Sequence, residues 1–158
     1  MTALSDAYVL ITLTVLTSML LGGLIVAAGT TAPVAVRVLP EDGAARFLRA
    51  FWPRYYRLGS GGGAALTLAL GLMVPSSPLG TAYASLLTVL AALFTAALWG
   101  AQLMIPAINA ARDAGADARF ERLHRLVLGL TGAGLLAGLV FLAALGWVLP
   151  GQYMIWMH

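Results

Sequence analysis

Four long apolar stretches run through this chain, at about residues 7–31, 58–74, 83–105 and 126–148. Two polar, Arg-bearing stretches, 32–57 and 106–125, join the first to the second and the third to the fourth. An α-helix rises about 1.5 Å per residue, so about 17–25 apolar residues cross the hydrocarbon core of a bilayer. All four stretches fall in that range, the second at its short limit. Pro33 marks the exit of the first, Pro106 closes the third and Pro150-Gly151 the fourth. The uncharged run Pro75-Ser76-Ser77-Pro78-Leu79-Gly80 reads as a tight turn between the second and third. The pattern predicts an all-α fold: a polytopic membrane four-helix bundle, occupying the whole chain as one transmembrane domain.

Charge gives the bundle a direction. All nine basic residues are Arg: Arg37, Arg46, Arg49, Arg54 and Arg57 in the first polar stretch, and Arg112, Arg119, Arg122 and Arg125 in the second. No charge lies between Arg57 and Arg112 or after Arg125, and only Asp6 precedes Arg37. Basic residues collect in cytoplasmic loops, so both Arg stretches are expected in the cytoplasm, both termini on the non-cytoplasmic side, and the protein in a bacterial inner membrane. Aromatic residues fit interfacial belts: Tyr8, Tyr83, Trp147, Tyr153 and Trp156 at the outer level, Trp52, Tyr55, Tyr56 and Trp99 at the inner one. A chain that is 61% apolar and 9% charged could not cover its own surface in water, where charge runs at roughly 25%. The absence of Cys removes disulfides, thiolate metal sites and thiol catalysis. Arg46, Arg49, Arg54, Arg57, Arg119, Arg122 and Arg125 sit beside the membrane, where they meet anionic lipid headgroups rather than nucleic acid. Met1 to Asp6 carries no basic n-region and the following apolar run exceeds an h-region, so the first span is expected to stay in the mature protein. Arg without Lys, beside abundant Ala, Leu and Gly, is a composition associated with GC-rich bacterial genomes.

The halves of the chain echo each other at an offset of 73. Pro33 maps to Pro106, Ala45-Arg46-Phe47-x-Arg49 to Ala118-Arg119-Phe120-x-Arg122, and Gly59 and Gly61 to Gly132 and Gly134. Both copies run the same way through the membrane, which makes them two parallel hairpin repeats. The polar stretches have their own pattern. Ala44 to Arg57 sets Phe47, Phe51 and Leu58 against Arg, and Ile108 to Leu126 does so with Phe120, Leu123 and Val127, as interfacial helices do. The alternative is that they extend the third and fourth spans. Glu121 and Arg125 have the favourable i,i+4 order.

Candidate chemistry is sparse. No Asp, Glu, Lys, Arg or His falls within a span, whereas coupled transport generally needs one to hold charge in the bilayer. The hydroxyls and amide that do occur there, such as Thr17, Thr67, Thr95, Gln102 and Thr131, suit helix packing. Gly63-xxx-Thr67-xxx-Gly71 and Gly134-xxx-Gly138 are small-xxx-small patterns that let helices approach closely. The run Gly59-Ser60-Gly61-Gly62-Gly63 could cradle an anion, but without a Lys and a preceding strand it is not a nucleotide loop. His124, flanked by Arg122 and Arg125 at the inner mouth of the fourth span, shares its depth with Tyr55, Tyr56, Gln102 and Asn109. These five form the candidate pocket, with a structural hydrogen bond from His124 to a loop carbonyl as the alternative. At the C-terminus, Met154, Met157 and His158 have the soft donors that suit Cu(I) on the non-cytoplasmic side, although an aromatic interfacial anchor accounts for the same tail.

Several of these motifs resemble a known group. Gly29 to Pro33, Val38-Leu39-Pro40, Phe51-Trp52-Pro53-Arg54-Tyr55-Tyr56, Pro106 and Arg119-Phe120-Glu121-Arg122-Leu123-His124-Arg125 look like the bacterial four-helix membrane domain of unknown function. Its eukaryotic relatives are the transmembrane-protein-205-like proteins. The resemblance implies a four-helix fold, a link to heavy-metal drug tolerance through the eukaryotic members, and Pro53, Tyr55, Tyr56, Phe120 and His124 as the positions to watch. The group is also distantly similar to copper-resistance D-type proteins and to membrane protoporphyrinogen oxidases that hold haem. Those use a His in the first span, and this chain has none there.

The residues therefore favour a non-enzymatic accessory subunit that packs with a second copy or with other transmembrane subunits, with membrane lipids as neighbours and no assigned cofactor. The competing readings are a pocket near the cytoplasmic face for copper, a tetrapyrrole, a quinone or a lipid, and a membrane enzyme with His124 as general base.

Overall fold

The computed structural model describes residues 3–77 and 79–154, with side chains described over 8–77 and 79–147. Its helices are α1 (Ala3–Val26), a π-helical turn (Ala27–Thr31) leading into α2 (Ala32–Val38), α3 (Glu41–Met73), α4 (Thr81–Asp113) and α5 (Asp117–Met154). The first three segments form one rod, so there are four rods, each long and apolar enough to cross a membrane. The protein is an all-α, multi-pass membrane bundle.

Seams of buried residues hold the rods together. On α4 these are Ala84, Leu87, Ala91, Phe94, Leu98, Ala101, Ile105 and Ile108, at alternating steps of three and four. Val127, Thr131, Gly134, Gly138, Phe141 and Leu145 repeat the rhythm on α5, and Leu10, Thr17, Leu21 and Leu24 on α1. Steps averaging 3.5 keep one narrow stripe facing a partner, the knobs-into-holes geometry of left-handed bundles. α4 lies between α3 and α5 and packs most extensively against both, while α1 closes the ring against α5 and α3. Lipid covers the rest, so Ile11, Val15, Leu68, Leu93 and Leu136 point outward.

Glycine makes the closest approaches possible. A Cβ on Gly63 would stand 2.5 Å from Thr95 Oγ1 and 2.8 Å from Phe94 Cδ1, and one on Gly138 would stand 2.5 Å from Leu21 Cδ2. On Gly134 it would lie 3.1 Å from Ala97 Cβ. Gly71 differs: its Cβ would meet Thr88 at an ordinary 3.8 Å.

The stretches 32–57 and 106–125, expected to carry interfacial helices or to extend the third and fourth spans, are helix continuous with the spans apart from two short links. Ala44 to Arg57 continues straight into the second span as part of α3, and the second polar stretch is shared between α4 and α5. Leu39 and Pro40 break the first stretch, and α3 starts with Glu41 and Asp42 at its positive end. The second break is a Schellman turn: Ala116 N–H bonds Ala111 O at 2.9 Å, Gly115 N–H bonds Arg112 O at 3.1 Å, and Gly115 has φ 62°. The π-helical turn lies just before Pro33. A proline ring clashes with the carbonyl four residues back in a regular helix, and local widening relieves that clash.

Hydroxyls inside the bundle bond mainly to their own helix. Thr14, Thr67, Thr88, Thr95, Thr131 and Ser60 each donate to the carbonyl four residues earlier at 2.7–2.8 Å. Thr67 and Thr95 also meet each other across α3 and α4 at 3.3 Å.

Candidate functional site

At the Arg-rich end, α3, α4 and α5 diverge enough to leave a cleft of about 130 Å³. Its polar groups are Arg49, Asn109, Arg112, His124 and Tyr56, and its apolar lining includes Trp52, Ile105, Ile108, Phe120, Val127 and Leu128. An engineered apolar cavity of about 150 Å³ accepts benzene, so this space suits one ring or a short chain and is well below a tetrapyrrole.

Two pairs of flat side chains line it. On α3, Trp52 stacks on Tyr56 with centroids 5.8 Å apart and planes at 25°. On α5, Phe120 stacks on His124 at 5.7 Å and 6°. Each pair is spaced i,i+4, which puts both members on one helix face. The Schellman turn brings the start of α5 back beside the end of α4, and Arg112 Cζ lies 5.8 Å from the Phe120 ring centroid, within cation–π range.

The rim carries a charge pair. Arg49 of α3 forms a two-pronged salt bridge with Asp113 of α4, one prong running from Nη1 to Oδ2 at 3.0 Å. Both residues lie beyond the apolar stretches 58–74 and 83–105. The hydrogen bonds from Arg49 hold the Asp113 carboxyl below its ordinary value, with the positive charges of Arg49 and Arg112 acting the same way. Asp113 offsets one guanidinium, and Arg112 leaves the rim net positive.

Of the five residues grouped by sequence, Tyr56, Asn109 and His124 line this cleft, and Tyr55 and Gln102 do not. Tyr55 is 4% exposed and Tyr56 2%, so both are core residues rather than the lipid-facing belt expected of them. Tyr56 shares a 2.9 Å hydrogen bond with Thr131 of α5. The Tyr55 hydroxyl is buried with no hydrogen-bond partner, as is Thr17 Oγ1. Gln102 accepts a hydrogen bond from Ser60 at 3.2 Å.

Among the proposed headgroup-binding residues, Arg54 and Arg57 bond back to Ala50 O and Pro53 O, and Arg125 pairs with Glu121 at 3.5 Å. Arg46, Arg119 and Arg122 are exposed. Met157, His158 and the Met154 side chain lie outside the described residues, so the copper tail stays an expectation. Among the described residues no three His, Asp or Glu gather as a metal-binding group. Phe120, singled out through the family resemblance, lines the cleft, whereas Trp52, Arg49 and Arg112 were not expected there; the i,i+4 spacing of Trp52 and Tyr56 was the available signal for the first.

A bundle of four apolar rods with an aromatic and Arg-lined cleft at one end defines an integral membrane protein. Residues 15–117 match the model of a family described as "Domain of unknown function (DUF4149)". The match covers well over half of the chain, which belongs to that family. It includes α3 and α4 and ends at the first residue of α5, so Phe120 and His124 lie beyond it. No curated protein and no solved structure matches the chain.

Proposed function

We propose that this protein binds a small amphiphilic ligand, without transforming it, in the cleft at its Arg-rich end. The carrying observation is convergence: α3, α4 and α5 each contribute polar and apolar side chains to one space about as large as a ring. Leu128 both lines the cleft and is 55% exposed, which offers an apolar tail a way out. The donor set favours an organic ligand over a metal, since Arg, Asn and a lone imidazole make a poor coordination shell. A likeness to transmembrane-protein-205-like proteins, or more distantly to copper-resistance D-type proteins, would add no donors here. Catalysis by His124 lacks support, because His124 stacks on Phe120 and neither ion pair among the described residues includes it.

The membrane is the bacterial inner membrane, with the Arg-rich end in the cytoplasm and both termini outside, a reading supported by Arg placement. Since the chain has no Cys, single Ala116→Cys and Ser77→Cys variants test it. An impermeant maleimide should label intact cells at position 77 and not at 116; the reverse pattern inverts the topology.

Native mass spectrometry after gentle extraction, with metal analysis of the same sample, tests ligand binding. A stoichiometric organic mass that is lost in Arg112→Gln supports the proposal, and a bare monomer overturns it. A second reading, an accessory or self-associating subunit, is favoured by Gly22, Gly23, Gly29 and Gly132, where a Cβ would meet nothing within 4 Å and another helix could approach. A stoichiometric protein partner or second copy in that spectrum would support it.

A further inference from the structure

We infer that the cleft is built for a flat aromatic ring bearing a carboxylate and an apolar tail, an inference that rests on the ligand-binding reading above. Three features of the site select that chemistry together. The walls are two stacked pairs, Trp52 on Tyr56 and Phe120 on His124, from different helices. Rings stack preferentially on rings, and the available space is about that of one ring. The rim is positive: Arg49 is offset by Asp113, while Arg112 lies beside Phe120 with its guanidinium free to meet an anion. Asn109 adds an amide next to Arg112 on α4 that can donate to the same carboxylate. The floor of Ile105, Ile108 and Val127 carries no hydrogen-bonding side chain, so the polar end of the ligand must lie at the rim and the ring below it. Exposed Leu128 then sets where a tail would leave for the bilayer.

The test uses the full-length protein in nanodiscs of zwitterionic phosphatidylcholine, titrated calorimetrically and referenced to empty nanodiscs. The probes are 4-butylbenzoate and trans-4-butylcyclohexanecarboxylate, matched in charge and tail and differing in the flatness of the ring. One equivalent of 4-butylbenzoate should bind about three- to tenfold more tightly than the saturated acid, the range expected of aromatic stacking. Arg112→Gln should weaken it about tenfold, the scale of a charge-assisted hydrogen bond. Asp113→Asn should tighten it about twofold by releasing Arg49. Trp52→Leu should abolish the preference for the flat ring and Trp52→Phe should keep it, with helicity checked by circular dichroism. The wild-type comparison is decisive even where a variant fails to fold. Equal or inverted affinities for the two acids overturn the aromatic assignment and leave the cleft as a general amphiphile site. Binding of neither acid above the empty nanodiscs overturns both this inference and the function proposed above.

Discussion

The two hairpins use the same positions for different ends. Phe47 and Phe51 near the start of α3 stack at 5.8 Å and 15°, and the residues 73 further on, Phe120 and His124, stack at 5.7 Å and 6°. Thr30, Val34, Ala35, Val38, Leu39 and Phe47 line an open apolar groove in the first hairpin. At the same offset, Ala35 becomes Ile108, Leu39 becomes Arg112 and Phe47 becomes Phe120, all lining the polar cleft. A common scaffold thus presents hydrocarbon in one half, and an imidazole and a guanidinium in the other. The backbone differs as well: the first hairpin has a π-helical turn and an extended link at Leu39, the second a Schellman turn at Gly115.

The largest expected effect probes where that equivalence fails. Gly59 and Gly132 correspond by sequence, yet a Cβ on Gly59 would stand 2.6 Å from Leu98 Cδ1, while on Gly132 it would meet nothing within 4 Å. Leu98 is fully buried and cannot swing aside. Gly59→Ala should therefore destabilise by about 2 kcal/mol through overpacking. Gly132→Ala should be neutral or gain about 0.5 kcal/mol from reduced backbone freedom. Thermal unfolding in detergent compares the two, and equal losses would mean the helices are rotated from the positions described.

Next comes Tyr56→Phe, whose counterpart, Gly129, has no hydroxyl to lose. Removing the bond to Thr131 should cost about 1 kcal/mol, the scale of a hydrogen bond between membrane helices. Thr131 keeps its bond to Val127 O, so the loss should not grow beyond that. Equilibrium unfolding of Tyr56→Phe beside Thr131→Val, and of the double variant, would show whether the two losses are shared.

Exchanging the distinguishing ring by His124→Phe should change stability by less than about 0.5 kcal/mol, as is usual for an exposed position, whereas Phe51→His should cost more because Phe51 packs against the core. His124→Phe should nevertheless reduce ligand retention in native mass spectrometry, whereas Phe51→His should not. Equal retention in wild type and His124→Phe would remove the imidazole from the site.

The smallest effect belongs to Asp113, whose counterpart by offset is Pro40. Its carboxyl is held below the ordinary value of 3.8, so the folded state takes up a proton less readily than the unfolded chain. The resulting stabilisation is fully present above that value and disappears as pH falls through the depressed one. Asp113→Asn should flatten this acid limb of a stability–pH curve, and added salt should do the same, because the pair is exposed.

Much of the fold was legible in the sequence because the bilayer demands long apolar helices. The four rods and the charge-free interior both follow from that demand. Boundaries were less legible: helix continues through Arg-rich sequence such as 44–57, since Arg is itself a good helix former and hydropathy marks where lipid ends rather than where a helix ends. Tyr55 and Tyr56 were placed in an interfacial belt because Tyr suits both a belt and a core, and only neighbouring helices decide which. Gly63 and Gly71 look alike in a small-xxx-small pattern, but the residues opposite them, Phe94 with Thr95 against Thr88, come from another helix. The depth shared by Tyr56, Asn109 and His124 could be counted along the chain. That Arg112 would lie beside Phe120 depended on the chain reversal at Gly115.

The hydroxyls bonded within their own helices bear on the order of events as the protein is made. A polar group in lipid is costly until it finds a partner. Thr67, Thr88, Thr95 and Thr131 each have one four residues back, before any second helix arrives. These four hydroxyls need no second helix, whereas Thr17 has no hydrogen-bond partner and Tyr56 meets Thr131 only once α3 packs on α5. Assembly then becomes a separate, later stage, in which the helices find one another mainly by shape.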